Sequence, residues 1–282
     1  MELTRTIGEA RVQIRRLKSS NQTVALVPTM GALHKGHLSL IRQAKKRADH
    51  VVVSIFVNPE QFGPNEDFDT YPRELEEDLQ KCRLEGVSMV FAPDRDAVYD
   101  KEKYISINID SLNRHMCGSS RPGFFEGVLL IVNKLFNIIQ PDVALFGQKD
   151  IQQFQIISTM VREFNHNTEL VMAPVERAND GLALSSRNAY LNNEERLLAP
   201  GLYRALQFIE KQIYDGVHSP TLMIKHQISE LEAKGFKIDY LNVFSFKTLQ
   251  PVNTLHIGEK YIIAGAVLLG KTRLIDNILI QL

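Results

Sequence analysis

Short apolar runs alternate with stretches of helical spacing over the first ~175 residues of the chain. Continuous apolar runs predict buried strands at 24–28, 51–57, 89–92, 143–146 and 169–172. Apolar positions that recur every three to four residues predict helices at 37–47, 73–86, 125–140 and 150–164. Strands that alternate with helices are typical of a parallel sheet covered on both faces. We therefore expect an α/β fold built on a Rossmann-like parallel sheet with helices on both faces.

The pattern changes beyond residue 188. Helical spacing at 192–214 and 221–234 is followed by strand-like runs at 237–244, 261–269 and 274–280. No repeat and no low-complexity linker separates the two parts. We interpret residues 1–180 as a Rossmann-like domain and residues 181–282 as a smaller C-terminal α+β domain.

Composition narrows the classes of partner. The 33 basic and 33 acidic residues balance, so the basic footprint of a nucleic-acid-binding protein is absent. The longest apolar runs are far shorter than the ~20 residues of a membrane span, and no apolar run typical of a signal peptide follows the N-terminus. Cys82 and Cys117 form neither a disulfide framework nor a Cys-x-x-Cys pair. We expect a cytoplasmic protein with no nucleic-acid or membrane partner.

The strand predicted at 24–28 ends in a glycine-containing turn that leads directly into a helix. Gly31 and Gly36 allow the backbone to approach a ligand closely. The start of a helix offers unpaired N–H groups and the positive end of the helix dipole, which favour a phosphate. His34 and His37 can donate hydrogen bonds to charge that develops there. The alternative is that both histidines only shape the turn; a zinc site or a P-loop does not fit the spacing.

Two further loops carry groups suited to phosphate. The strand predicted at 143–146 leads into Gly147, Gln148, Lys149 and Asp150, in which Lys149 can reach phosphate oxygens and Asp150 alternatively caps the next helix. The segment 184–188 places Ser185, Ser186 and Arg187 in a row, which suits a phosphate clamp but is also compatible with an ordinary polar loop.

Amide side chains suggest a second ligand. Asn58, Gln61 and Gln153 can both donate and accept hydrogen bonds, which suits a substrate with hydroxyls and a carboxylate. Each of these residues, taken alone, is more often an exposed polar side chain with no binding role.

Five segments, in this order, resemble the family of pantothenate synthetases (pantoate–β-alanine ligases). They are PTMGALHKGH, VSIFVNPEQFGPNEDFDTYPR, RPGFFEGV, FGQKDIQQ and DGLALSSRN, and they lie between residues 28 and 188. The resemblance implies a two-step reaction with Mg²⁺ and ATP: (R)-pantoate attacks the α-phosphate and releases pyrophosphate, and β-alanine then attacks the pantoyl adenylate to give pantothenate and AMP. It also implies a homodimer. Because the reactive adenylate must be kept from water, we expect either the long 58–72 loop or the smaller C-terminal domain, acting as a lid, to close over the site.

The resemblance assigns roles to residues of this chain. The catalytic assignments are His37, with the usual role of proton donor, His34, Lys149 and Arg187. The ATP-binding assignments are Met30, Gly31, Ala32, Leu33, His34, Lys35, Gly36, His37, Gly147, Gln148, Lys149, Asp150, Glu176, Leu184, Ser185, Ser186 and Arg187. The assignments to pantoate and β-alanine are Gln61, Gln153 and Asn58. The ligands of Mg²⁺ stay open, with Glu77 and Asp78 as unassigned candidates.

Four positions depart from the family pattern. Phe124 stands where the family usually has His, which removes a titratable group near the phosphates. Gln148 replaces a frequent Glu, Leu184 a frequent Met or Lys, and Glu176 a usual Val or Ile whose contact to adenine is through the backbone.

Two other functions compete with the ligase. A nucleotidyltransferase that transfers a nucleotide to a phosphate or an alcohol shares the His-x-Gly-His turn, but it does not account for Asn58, Gln61 and Gln153. A non-catalytic nucleotide-binding protein, weakened by Phe124, is the other.

Overall fold

The computed structural model describes residues 1–64, 66–102 and 104–282, without the side chain of Ser20. The chain divides into two compact units. The first comprises residues 1–109, 122–148 and 153–174, and the second comprises residues 110–121, 149–152 and 175–282. The units interleave along the chain, whereas the sequence pattern predicts a single boundary between residues 180 and 181. That boundary stays a prediction.

The first unit contains a six-stranded, all-parallel sheet. Its strands are β1 (Glu2–Thr4), β2 (Val24–Thr29), β3 (His50–Ile55), β4 (Met89–Phe91), β5 (Val143–Gly147) and β6 (Glu169–Ala173). They lie in the order β1-β4-β3-β2-β5-β6. From β2 the chain adds β3 and β4 on one side, and it then crosses back to add β5 and β6 on the other side of β2. Such a switch point is where α/β folds bind ligands, at the carboxyl ends of the strands.

The helices up to residue 174 are α1 (Ile7–Leu17), α2 (Lys35–Ala44), α3 (Leu75–Leu84), α4 (Arg95–Val98), α5 (Cys117–Ser120), α6 (Phe124–Ile139) and α7 (Ile151–Glu163). Of these, α1 was missed by the sequence analysis, although Ile7, Ala10, Ile14 and Leu17 recur at helical spacing. The short edge strand β1 was also missed, because three residues carry no period.

Both faces of the parallel sheet are buried. Alternate positions such as Ala25 and Val27 of β2 share a core with Ile41 of α2 and Leu79 of α3. The intervening positions, such as Leu26, are buried as well. Since successive side chains of a strand point to opposite faces, helices cover the sheet on both sides.

The second unit contains a three-stranded antiparallel sheet, β7 (Lys237–Ser245), β8 (Lys260–Leu269) and β9 (Thr272–Gln281), in the order β7-β8-β9. It carries the helices α8 (Asn193–Leu198), α9 (Gly201–Tyr214) and α10 (Thr221–Ala233). The single helix expected at 192–214 is interrupted at Pro200, which has no N–H to continue the helical ladder. The helices and the sheet share one apolar core.

The predicted fold class is confirmed: a parallel sheet with helices, followed by a smaller antiparallel α+β part. Within the described residues, no helix combines the length and apolar character that a bilayer span requires.

Candidate active site

The turn after β2 is held by a carboxylate from another helix. Gly31 and Ala32 both have positive φ, at 83° and 50°. The N–H groups of Ala32 and Leu33 donate to the two carboxylate oxygens of Asp78 at 2.8 and 2.7 Å. The Gly31 N–H donates to the Thr29 hydroxyl at 3.1 Å. Three consecutive amides of the turn are therefore hydrogen-bonded to side chains, which stabilises its conformation.

His34 and His37 are oriented by the start of α2. The Gly36 N–H donates to Nδ1 of His34 at 3.1 Å, and the His34 N–H donates to Nδ1 of His37 at 3.3 Å. The ring centroids are 4.1 Å apart. A backbone N–H can only donate, so each Nδ1 must accept and each neutral ring carries its proton on Nε2. Both imidazoles are thus set as Nε2–H donors.

The loop after β3 fixes the amide of Gln61. Asn58 is 1% exposed, and its Nδ2 donates to Oε1 of Gln61 at 3.1 Å and to the Gly127 carbonyl at 3.0 Å. Oδ1 of Asn58 accepts from the Tyr99 hydroxyl at 2.8 Å. The other end of the Gln61 amide, Nε2, donates to the sulfur of Met30 at 2.9 Å. The structure thus brings Asn58, Gln61 and Met30 together in the first unit.

Tyr99 is a neutral donor in this network. Burial raises the pKa of its hydroxyl well above the usual range, with a smaller contribution from the charge of Glu60. The hydroxyl therefore keeps its proton and continues to donate to Asn58 at any physiological pH.

Gly127 allows α6 to approach the loop closely. A Cβ at this position would overlap the carbonyl oxygen of Glu60 and crowd the backbone N of Gln61. Only glycine permits the hydrogen bond between the Asn58 amide and the Gly127 carbonyl in this geometry.

In the second unit, Lys149 is anchored through its backbone. Its carbonyl accepts from Nδ2 of Asn277 on β9 at 3.0 Å, and its Nζ lies 3.7 Å from the carboxylate of Asp150. Lys149 and Asp150 belong to a short 3₁₀ turn, Gln148–Asp150, directly before α7. The side chain of Lys149 is half-buried.

The segment that contains Ser185, Ser186 and Arg187 is connected to a small hairpin. Arg177 pairs with both carboxylate oxygens of the buried Asp276 on β9, at 2.5 and 2.9 Å, and also donates to the Gly181 carbonyl at 3.0 Å. The Leu184 N–H donates to the Glu176 carbonyl at 2.9 Å. The side chain of Glu176 is exposed, so its backbone is what pairs with the hairpin.

Residues 185–188 form a tight turn after this hairpin. The Ser185 hydroxyl accepts from the Arg187 N–H at 3.3 Å, and the Ser185 carbonyl accepts from the Asn188 N–H at 3.1 Å. Nδ2 of Asn188 donates to the Ala183 carbonyl at 3.0 Å. Leu184 to Arg187 are all half-buried. Ser185, Ser186 and Arg187 are thereby presented on one short segment.

The two adjacent glutamines of α7 differ in their surroundings. Gln152 is buried in the second unit, and its Nε2 donates to the carbonyls of Leu112 and His115 at 2.9 and 2.8 Å. Gln153 belongs to the first unit and is half-buried. The predicted substrate ligand, Gln153, is thus the more accessible of the two.

The remaining residues singled out from the sequence lie at the ends of strands and helices. Gly147 and Gln148 are half-buried at the end of β5, and a Cβ on Gly147 would meet no atom of the described residues within 4 Å. Lys35 is exposed in the first turn of α2. Phe124 begins α6 and packs edge-on against Phe125 with 4.8 Å between ring centroids.

Several residues that shape these segments were not predicted from the sequence: Tyr99, Gly127, Arg177 and Asp276. For Gly127 a signal existed, since a glycine inside an otherwise apolar helix marks a close backbone approach. Asp78 was noted only as a candidate near a metal. The contacts of Tyr99 and Asp276 join positions 41 and 99 residues apart, which no local pattern can reveal.

Comparison with known proteins agrees with the predicted resemblance. A family model described as pantoate-beta-alanine ligase matches residues 2–279. The pantothenate synthetase of Thermoanaerobacter sp. (strain X514) is 47% identical over 280 residues, covering 99% of this chain and 98% of that protein. That of Pseudomonas savastanoi pv. phaseolicola (strain 1448A / Race 6) is 44% identical over 280 residues, again covering 99% and 98%.

Solved structures agree. The crystal structure of pantothenate synthetase from Thermus thermophilus superimposes with a TM-score of 0.91 at 39% identity and covers 99% of each chain. The pantoate-beta-alanine ligase of Francisella tularensis, solved in complex with beta-gamma ATP and beta-alanine, gives a TM-score of 0.82 at 33% identity, covering 99% of this chain and 97% of that one. On the match of the family model and these identities, this chain belongs to the pantoate–β-alanine ligase family.

Proposed function

We propose that this chain condenses (R)-pantoate with β-alanine to pantothenate, through a pantoyl adenylate, with release of pyrophosphate and AMP. The observation that carries this function is the family match over residues 2–279. The geometry supports it, because the turn at 30–37 presents two oriented imidazole donors at the switch point of a parallel sheet.

The first step is the attack of the pantoate carboxylate on the α-phosphate of ATP. This reaction needs positioning and stabilisation of phosphate charge rather than a covalent nucleophile. We assign His34 and His37 to hydrogen-bond the phosphates through Nε2–H, with His37 as the principal donor. Lys149 and Arg187 supply positive charge, and Ser185 and Ser186 supply hydroxyl donors.

We assign the other contacts with ATP mainly to backbone groups. Met30 to Gly36 form the turn and the helix start, where N–H groups suit phosphate. We assign Gly147, Gln148, Asp150, Glu176 and Leu184 to the nucleotide as well, with Glu176 acting through its main chain, which already pairs with Leu184.

The hydroxy acid is assigned to the amides. We propose that Gln61 and Gln153 bind pantoate and that Gln61 also reaches β-alanine. Both oxygens and both nitrogens of the Asn58–Gln61 pair have partners that set their orientation, including Asn58 Nδ2 to Gln61 Oε1. Asn58 therefore supports the substrate site by fixing the orientation of the side-chain amide of Gln61.

Magnesium, location and assembly are further proposals. Mg²⁺ is expected to arrive with ATP, because phosphates and water can supply most of its octahedral shell. In the described part of the chain, no three His, Cys, Asp or Glu side chains are grouped to hold a metal ion. We also propose a cytoplasmic homodimer, which light scattering would report as about twice the 32.1 kDa of one chain.

The test is a product analysis. Purified protein is incubated with Mg²⁺, ATP, pantoate and β-alanine, and AMP, pyrophosphate and pantothenate are measured separately. The expected result is equal amounts of all three, with no AMP when pantoate is left out. A nucleotidylated product would identify the competing nucleotidyltransferase. ATP binding without pyrophosphate release would identify a non-catalytic protein.

A further inference from the structure

Asp78 is a fully buried carboxylate. It lies on α3 with 0% exposure. Its oxygens accept from two consecutive amides, Ala32 at 2.8 Å and Leu33 at 2.7 Å. A buried charge is normally tolerated only where it is paired and hydrogen-bonded. The two amides therefore are the reason that a carboxylate can be accommodated here.

The turn that Asp78 holds has an unfavourable backbone conformation. Ala32 has φ of 50°, a left-handed conformation that an L-residue rarely adopts without support. The preceding Gly31 also has positive φ, and a Cβ on it would lie only 3.0 Å from the Asp78 carboxylate. Because the turn ends at His34, the N-cap of α2, its conformation determines where both histidine rings begin.

The same contacts argue against a role as metal ligand. Both oxygens of Asp78 are occupied by backbone donors, and Nζ of Lys81 lies 3.9 Å from one of them. Burial raises the pKa of this carboxyl, while the two N–H donors and Lys81 act in the opposite direction. Because Asp78 has no exposed surface, a hydrated Mg²⁺ could reach the carboxylate only if the groups around it moved.

We propose that Asp78 is a positioning residue for the nucleotide: its carboxylate holds the 31–33 turn in the conformation that presents the backbone and the two histidines to ATP. This rests on the proposed ATP site. Asp78 acts through the turn and touches no substrate itself.

The test compares Asp78→Asn with Glu76→Gln. Asparagine keeps one acceptor but turns an NH₂ group towards a backbone N–H, so one hydrogen bond is lost and the turn relaxes. We expect the KM for ATP to rise at least tenfold and the KM for β-alanine to change less than twofold. Glu76 is the matched control, because its carboxylate is exposed in the first turn of the same helix. Glu76→Gln should keep both KM values within twofold.

Two results would overturn the proposal. One is equal behaviour of the two variants. The other is a normal KM for ATP at saturating Mg²⁺ together with a raised Mg²⁺ requirement in Asp78→Asn, which would make Asp78 a metal ligand.

A second measurement uses the wild-type chain and does not require activity. Amide hydrogen exchange of Ala32 and Leu33 should be as slow as in the neighbouring strand β2, because both N–H groups are bonded to a buried acceptor. Exchange at the rate of an open loop would contradict the proposal even if Asp78→Asn does not fold. An inactive wild-type chain with slow exchange at both amides would instead contradict the proposed function alone.

Discussion

At the residue level, the two imidazoles of the 34–37 turn act as helix caps and are also the catalytic groups that we propose. Each Nδ1 accepts a backbone N–H of the helix start, which satisfies a donor that the helix cannot. The same bond leaves the proton on Nε2. The capping and catalytic interpretations of His34 and His37 are therefore compatible.

Substituting His37 with its two partial mimics separates those roles. Asparagine reproduces the position of Nδ1, and glutamine reproduces that of Nε2–H. We expect His37→Asn to keep the melting temperature and lose at least about a hundredfold in turnover, in the range for loss of one electrostatic donor. His37→Gln should retain more activity and lose more stability. The opposite order, measured by calorimetry and steady-state kinetics, would assign His37 to the cap alone.

Lys149 is a basic residue whose backbone carbonyl is held by the side chain of Asn277. Lys149→Ala should therefore lower turnover about a hundredfold or more without unfolding the chain. The control is Lys234→Ala, which removes an exposed lysine paired with Glu230 across one helical turn. Exposed pairs of this kind contribute little. Near-normal turnover of Lys149→Ala would remove Lys149 from the site.

At the scale of elements, the position of α6 depends on one missing side chain. Gly127 lets the helix reach the 59–61 turn so closely that its carbonyl accepts from Asn58. The network that orients Gln61 is thus built by two elements that are distant along the chain.

Gly127→Ala should therefore separate α6 from that turn. Overpacking costs about 1–3 kcal/mol, which would lower the melting temperature by several degrees. We also expect a raised KM for pantoate, because Asn58 loses one of its partners. Gly8→Ala is the matched control: it places a methyl group in helix α1, where the nearest atom is the Thr6 hydroxyl at 4.0 Å. Equal melting temperatures for the two variants would show that the chain absorbs the clash.

At the scale of the whole molecule, the reaction consists of two steps with different demands. The first transfers the adenylyl group of ATP to the pantoate carboxylate, and we propose that Mg²⁺ neutralises phosphate charge in this step. The second joins an amine to an activated carboxyl, with no further ATP consumed. We therefore predict that the first step requires Mg²⁺ and that the second step does not.

Chelation should stop only the first step. With excess EDTA added at the start, we expect no pyrophosphate and no pantothenate. With EDTA added after the adenylate has formed, subsequent β-alanine should still give one pantothenate per adenylate, measured in a single turnover. Loss of product in both orders of addition would place Mg²⁺ in the second step as well.

Local sequence patterns were enough to predict the alternation of strands and helices, the change of pattern near residue 188 and the five segments that mark the family. These properties are local: a period of apolar positions shows which face of a segment is buried, and a motif is a short run of residues. The fold class and the family were therefore predictable, and both are confirmed.

The residues that support the candidate site can be identified only from the folded protein. Asp78 meets Leu33 from 45 positions away, Gly127 meets Asn58 from 69, and Asp276 meets Arg177 from 99. A buried face has the same periodicity whatever packs against it, so the pattern cannot name its partner. These contacts arise when the elements pack and bring distant polar groups close enough to satisfy one another.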